Sequence, residues 1–163
     1  MFPPLAGKRQ TMDPYRIILA DDHYLIREGL RSILEERADL HVVGEASDGL
    51  ELLLMLDQLK PHLAILDISM PHLQGIDTAR QIKMKYPGMK ILILTMHRER
   101  EYLYSAISAG VEGYLLKEDA EKELLTALDA IRRGEGFLSP LLREELEERH
   151  RLLPEFVKFF MNS

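Results

Sequence analysis

The residues of this chain that are best suited to chemistry stand directly after short apolar runs. They are Asp21, Asp22, Asp67, Thr95 and Lys117. Three crowded carboxylates resist ionising together unless a cation lies among them, so the three aspartates suit a Mg²⁺ ion with oxygen ligands. With one oxygen held by the metal, Asp67 can attack a phosphorus atom in line, while the metal and Lys117 neutralise charge on the equatorial oxygens. The pattern favours phosphoryl chemistry at Asp67.

The elements that must bring these residues together alternate about five times. Short runs rich in Ile, Leu and Val are typical of buried parallel strands, and amphipathic stretches between them are typical of helices. Strands are expected at residues 15–20, 41–46, 63–67, 90–95 and 112–116, and helices at residues 25–36, 49–59, 74–86, 98–109 and 119–133. Repeated βα units predict a doubly wound α/β domain with a five-stranded parallel sheet. Side chains just past the carboxyl ends of its strands would meet in one crevice.

Composition limits the class of protein. The chain has 163 residues, a formal net charge of −6 and no cysteine, which fits one domain with short extensions in a reducing, cytoplasmic compartment. The negative charge disfavours a nucleic-acid-binding surface on this segment. No apolar run approaches the roughly 20 residues that span a bilayer, so no membrane association is expected. Residues 1–14, with three prolines, are expected to form a flexible N-terminal extension.

With these residues in this order, the chain resembles, over residues 15–136, the receiver domain of bacterial two-component response regulators. In that family an acidic pair follows strand one, a phosphoacceptor Asp follows strand three, a Thr or Ser follows strand four, and a Lys follows strand five. The resemblance implies a flavodoxin-like (βα)5 fold with strand order 2-1-3-4-5. It also implies a sensor histidine kinase as phosphoryl donor, and signalling rather than an enzymatic role.

The resemblance assigns a role to each matching residue. Asp67 is similar to the phosphoacceptor, Asp22 to the direct metal ligand, and Asp21 to the ligand that acts through water. The remaining matches are Ser69, whose backbone carbonyl would complete the metal shell, Thr95 and Lys117 at the phosphoryl group, and Tyr114, which resembles the aromatic switch residue. The alternative for Tyr114 is a tyrosine at the edge of the core with its hydroxyl in water.

Further motifs resemble the NarL/FixJ, or LuxR-type, subfamily. They are Asp21-Asp22-His23, the run from Ile26 to Leu30, and the run from Arg133 to Pro140. This likeness implies homodimerisation on phosphorylation and transcriptional output through a DNA-binding domain. We expect residues 137–163 to be a linker and helical segment, too short for a helix-turn-helix domain. The chain is then a piece of a longer regulator, or a stand-alone receiver. No proline follows Lys117, a departure from many receivers.

Other interpretations remain open at this stage. An aspartate after a strand is often only a helix N-cap, although the combination of residues speaks against that. A hydrolase like the haloacid dehalogenase phosphatases would need an acid two residues after Asp67, where Ser69 stands, and a flavodoxin-like cofactor binder would not place Asp21 and Asp22 against a phosphate. A phosphorylation-independent interaction module is harder to exclude. Of the six histidines, His23 and His97 fall nearest the crevice, where they could tune the access of water or, as is more common for polar residues at such a mouth, line it without catalytic effect.

Overall fold

The structure is a computed structural model that describes residues 13–70 and 74–162. The expected N-terminal extension therefore lies outside the described residues, apart from Asp13 and Pro14. Pro71 and His72 also lie outside them. Within the described ranges no helix is both long and apolar enough to cross a bilayer.

One parallel sheet of six strands forms the centre of the described fold, in the order β2-β1-β3-β4-β5-β6. The strands are β1 (Tyr15–Ala20), β2 (Leu40–Ala46), β3 (Leu63–Leu66), β4 (Lys90–Thr95), β5 (Gly113–Leu116) and β6 (Phe137–Leu138). The α/β class and parallel sheet are confirmed, but the expected count of five strands is wrong. Residues 137–138 pair in parallel with the outer edge of β5, with Tyr114 opposite Leu138. This pairing gives partners to backbone groups that an edge strand would leave open.

In the part of the chain that the structure describes, seven α-helices accompany the sheet. They are α1 (Tyr24–Leu34), α2 (Gly49–Leu59), α3 (Gly75–Lys85), α4 (Arg100–Ser108), α5 (Ala120–Arg132), α6 (Pro140–Glu147) and α7 (Glu155–Met161). Successive residues of β1 alternate between two separate cores. Ile17 and Leu19 pack with α1 and α5, whereas Ile18 and Ala20 pack on the opposite face with α2, α3 and α4. Both faces of the sheet are covered, which explains why the central strand β3 is apolar and buried throughout.

The last two helices form a layer on the α4 side of the sheet, called here the C-terminal layer (α6 and α7). Its buried side chains include Leu142, Leu146, Val157 and Phe160, and they belong to the same core as Tyr114. Pro140 occupies the first turn of α6, where a missing backbone N–H costs nothing. The segment after α5 is therefore packed onto the domain over most of its length.

Candidate functional site

Two buried aspartates and one lysine meet at the carboxyl end of the sheet. Asp21 follows β1, Asp67 follows β3, and Lys117 follows β5. The Lys117 Nζ atom lies 2.9 Å from Asp21 Oδ2 and 3.0 Å from Asp67 Oδ2. Asp21 and Asp67 are only 3% and 4% exposed. A single ammonium group is thus shared by two carboxylates away from bulk solvent.

Burial and hydrogen bonding shift the pKa of two members of this trio, Asp67 and Lys117. Burial raises the pKa of the Asp67 carboxyl, and the hydrogen bond from Lys117 offsets only part of that rise. For Lys117, burial acts to lower the pKa, but the hydrogen bonds to Asp21 and Asp67 outweigh it and the net pKa is raised. Both groups hold their protons more tightly than in water. Because two carboxylates share only one ammonium group, the site also favours binding of a further positive charge.

Asp22 and His23 complete an acidic cluster at the mouth of the crevice. The His23 Nδ1 atom lies 3.0 Å from an oxygen of Asp21 and 3.0 Å from an oxygen of Asp22. Potential ligand atoms of Asp21, Asp22, His23 and Asp67 all lie within 4.8 Å of one another. Two of these carboxylates are buried, and the carboxylate oxygens are the donors that hard divalent cations prefer. The cluster can therefore bind a metal ion.

The loops after β3 and β4 are joined by His97. Ser69 Oγ lies 2.7 Å from His97 Nε2, and the backbone N–H of His97 donates to Thr95 Oγ1 at 3.1 Å. On the β3 side, the backbone N–H of Ser69 donates to Asp67 Oδ1 at 3.3 Å. Thr95 is fully buried. Ser69 and Thr95, both expected at the site, are thus bridged by His97, whose ring also packs at a tilt on Tyr102.

Tyr114 is fully buried beneath these loops. Its hydroxyl donates to the backbone carbonyl of His97 at 2.8 Å, so the alternative of a hydroxyl in water is wrong. Burial is the main cause that raises the pKa of the Tyr114 hydroxyl well above its usual value. The ring is therefore connected by one hydrogen bond to the loop that carries Thr95.

Gly75, at the start of α3, lies against the backbone of Asp67. A Cβ atom at this position would stand 2.0 Å from the carbonyl oxygen of Asp67. The backbone N–H of Gly75 donates to Ile68 O at 3.0 Å. Glycine is needed here for close approach, because any side chain would displace the loop that holds Asp67.

Comparison with known proteins agrees with this arrangement. A family model described as the response regulator receiver domain matches residues 17–129. The chain belongs to this receiver family.

Among the similar proteins, YxjL and RcsB extend beyond the part that this chain matches. YxjL of Bacillus subtilis, an uncharacterized transcriptional regulatory protein, is 42% identical over 124 residues, which is 76% of this chain and 57% of YxjL. A LuxR-family response regulator of Aurantimonas is 34% identical with a TM-score of 0.80, covering 85% of this chain and 99% of that one. RcsB of Salmonella typhimurium is 34% identical with a TM-score of 0.77, covering 84% and 67%. RcsB has also been solved as two dimers bound to two parallel DNAs.

The receiver fold brings Asp21, Asp22, Asp67 and Lys117 into one cluster. Ser69, Thr95 and Tyr114 bond to His97, and the backbone of Ser69 also bonds to Asp67. Asp21, Asp67 and Lys117 touch directly, whereas Asp22 reaches them through the carboxylate cluster. Two contributions were missed. His97 was expected near the crevice, but not as the residue that joins the loops after β3 and β4. Ser139 was not singled out, although its hydroxyl lies 2.9 Å from the backbone nitrogen just before Lys117.

Proposed function

We propose that Asp67 accepts a phosphoryl group from a sensor histidine kinase in a Mg²⁺-dependent reaction. The observation that carries this proposal is the contact of Lys117 Nζ with Asp67 Oδ2 at 3.0 Å and Asp21 Oδ2 at 2.9 Å, inside a crevice with excess negative charge. A structural ion pair alone does not need a second buried carboxylate on the same ammonium. The arrangement fits a phosphoryl acceptor, because Lys117 can balance the negative charge of Asp67 before the transfer and that of the phosphoryl group after it.

In the proposed transfer, an oxygen of Asp67 forms a bond to phosphorus while the bond from phosphorus to the kinase imidazole nitrogen breaks. The leaving nitrogen takes the electron pair, and Asp67 becomes an acyl phosphate. Lys117 already lies beside the acceptor and would pair with the phosphoryl oxygens as charge spreads over them. Asp21, Asp22, Asp67 and the backbone carbonyl of Ser69 would hold Mg²⁺, which supplies positive charge beside the acceptor oxygen.

The output of the proposed switch starts at Thr95. A phosphoryl group on Asp67 brings a charge of about −1.5 to −2, to which the Thr95 hydroxyl can donate a charge-assisted hydrogen bond. His97 N–H currently donates to that hydroxyl, and Tyr114 donates to His97 O. Movement of Thr95 would therefore disturb the hydrogen bond of Tyr114. We propose that this change controls homodimerisation, as the dimers of the similar RcsB suggest.

We further propose that the output is transcriptional and acts through a DNA-binding domain outside this chain. The chain spans 57% of the length of YxjL, a transcriptional regulatory protein, so the relative carries additional sequence. The receiver would act as a cytoplasmic signalling switch, not as an enzyme that turns over a substrate. The domain would comprise residues 15–136. Residues 137–163, of which β6 and the C-terminal layer pack onto that domain, would form the segment that leads to the output.

Phosphorylation by acetyl phosphate, followed by intact mass, tests the acceptor. We expect the parent to gain one phosphoryl group only with Mg²⁺ present, Asp67→Asn to gain none, and Asp57→Asn, a control at an exposed aspartate, to behave as the parent. Asp22→Ala should weaken Mg²⁺ binding, whereas Lys117→Ala should spare it and impair labelling. Labelling of Asp67→Asn at the parental rate would refute the acceptor. A parent that never labels, yet dimerises, would favour a phosphorylation-independent interaction module.

Sedimentation with and without beryllofluoride tests the output. We expect a shift toward dimer in the parent and none in Thr95→Ala, while Thr95→Ala still accepts phosphoryl at Asp67. An unchanged sedimentation coefficient for the parent would contradict dimerisation as the output.

A further inference from the structure

The backbone of the turn that carries Lys117 must be held in place for the ammonium group to contact Asp21 and Asp67. Lys117 is the first residue after β5 and begins a 3-10 turn that runs from Lys117 to Asp119. No proline follows the lysine to stiffen this turn. On its exposed side the turn is tied by Glu118, which pairs with Arg98, but both of these side chains are about half exposed. A solvated pair of that kind holds a backbone weakly.

Ser139 provides a buried anchor on both sides of Lys117. The Ser139 side chain is fully buried, and its Oγ atom accepts a hydrogen bond from the backbone N–H of Leu116 at 2.9 Å. The same hydroxyl donates to Asp119 Oδ2 at 2.8 Å. Leu116 and Asp119 are the residues immediately before Lys117 and two positions after it. One hydroxyl therefore spans the turn that places the lysine Nζ atom.

The hydroxyl of Ser139 takes the place of a strand carbonyl. The chain leaves β6 at this residue, and the backbone N–H of Ser139 still donates to Tyr114 O at 2.9 Å, as a strand residue would. Its carbonyl, however, accepts from Arg143 N in the first turn of α6. The N–H of Leu116 would lose its ladder partner at this point. The side chain of Ser139 supplies the missing acceptor.

Neither Ser139 nor Asp119 caps its own helix. Both occupy the N-cap position, of α6 and α5 respectively, and neither side chain makes a capping hydrogen bond. Serine and aspartate are preferred at N-caps because their oxygens accept a hydrogen bond from the first turn. Here the two side chains bond to each other instead. Both side chains therefore stabilise the turn at Lys117 and not the first turns of their own helices.

We infer that Ser139 is a positioning residue for Lys117, and that phosphoryl uptake at Asp67 depends on its hydroxyl. This inference rests on the proposed role of Lys117 in the phosphoryl transfer. Ser139 does not touch the reacting atoms. It fixes the backbone from which the ammonium reaches Asp21 and Asp67, and it begins the helix that starts the layer.

The test compares Ser139→Ala, Ser139→Thr and Leu142→Ala. Leu142 is a buried residue of α6 and lies in the core, so its truncation loosens the C-terminal layer while keeping the hydroxyl. We expect Ser139→Ala to slow labelling by acetyl phosphate about 10-fold, because small misplacements of a group at the reacting centre lower rates steeply. Ser139→Thr should restore most of the rate. Leu142→Ala should lower the melting temperature at least as much and label within about twofold of the parent.

Two further measurements separate positioning from folding and from the proposed function. In a Lys117→Ala background, adding Ser139→Ala should cause no further loss of rate, since the residue acts through the lysine. In unphosphorylated protein, the ¹³C carboxyl signals of Asp21 and Asp67, which report contact with Lys117, should shift in Ser139→Ala and remain parental in Leu142→Ala.

The outcomes are distinct. A Ser139→Ala variant with the parental labelling rate and carboxyl signals overturns the inference, and so does an equal loss of rate in Leu142→Ala. If the parent itself takes up no phosphoryl group, the proposed function fails. The carboxyl signals would then still decide whether Ser139 places the lysine.

Discussion

Removal of the Lys117 ammonium should expose how the buried charges are balanced. In Lys117→Met the two carboxylates of Asp21 and Asp67 each lose a contact of 2.9 to 3.0 Å. Both carboxylates are almost fully buried, so solvent cannot replace the lysine. Breaking a buried pair by removing one partner costs about 3–5 kcal/mol. We expect the free energy of unfolding at pH 7, without Mg²⁺, to fall by that amount.

The size of this loss should depend on pH in a defined direction. Because the pKa of Asp67 is raised in the folded protein, its contribution to stability is present below the unfolded pKa and is lost as pH rises through the folded pKa. Lys117 opposes that rise, so its removal moves the folded pKa of Asp67 further up. The destabilisation should therefore be largest at neutral pH and shrink as the pH is lowered and Asp67 takes up a proton.

Urea unfolding at several pH values measures both effects. Lys122→Met is the matched control, because Lys122 is exposed on α5 and far less should be lost there. Addition of Mg²⁺ should return part of the stability to Lys117→Met, since an ion that binds only the folded state stabilises it by mass action. A loss below about 1 kcal/mol at pH 7, or one that does not change with pH, would refute the account of the site as a crowded carboxylate pair held by one cation.

Three further predictions concern Asp67, Tyr114 and His97. Asp67→Asn should raise the urea midpoint at pH 7, because ionisation of this carboxyl is opposed by burial; a lower midpoint would contradict the direction of its pKa shift. Tyr114→Phe should cost about 1 kcal/mol through its lost hydrogen bond to His97 O, whereas Tyr114→Ala should cost about 3–5 kcal/mol, so that only the former tests switching without a folding defect. His97→Ala should shorten the lifetime of phosphorylated Asp67 about threefold, because it removes the hydrogen bond to Ser69 and lets water reach the acyl phosphate. Intact mass follows the lifetime, and an unchanged value would leave His97 a structural role only.

The sequence was most informative where side chains follow the end of a strand. Asp21, Asp67 and Lys117 could be placed together because parallel strands bring their carboxyl ends to one edge whatever the details of the helices. The expected strand at residues 41–46 begins one residue earlier, at Leu40, and helix α2 has the expected bounds. These elements carry long enough patterns of apolar residues to be recognised without tertiary information.

Features that depend on tertiary geometry were not predictable in the same way. Strand β6 has two residues and therefore no period, and it forms because β5 presents an open edge beside it. The partner of a serine is likewise decided by the backbone around it, since Ser139 could equally have capped α6. His97 was placed near the crevice by its position after β4. Its hydrogen bond to Ser69 depends on how two loops meet.

Strand β5 links the proposed chemistry to the proposed output. It carries Tyr114 within it and Lys117 at its end, and Ser139 bonds to the strand beside both, at Tyr114 O and at Leu116 N. Tyr114 faces the core that also contains the buried residues of the C-terminal layer, and α7 contacts α4 through Phe156 and Tyr104. A displacement of Tyr114 would act directly on α4 and the C-terminal layer, which pack on the same face of the sheet. Helices α1 and α5 pack on the opposite face. We therefore expect phosphorylation to change the hydrogen exchange of α4 and α7 more than that of α1.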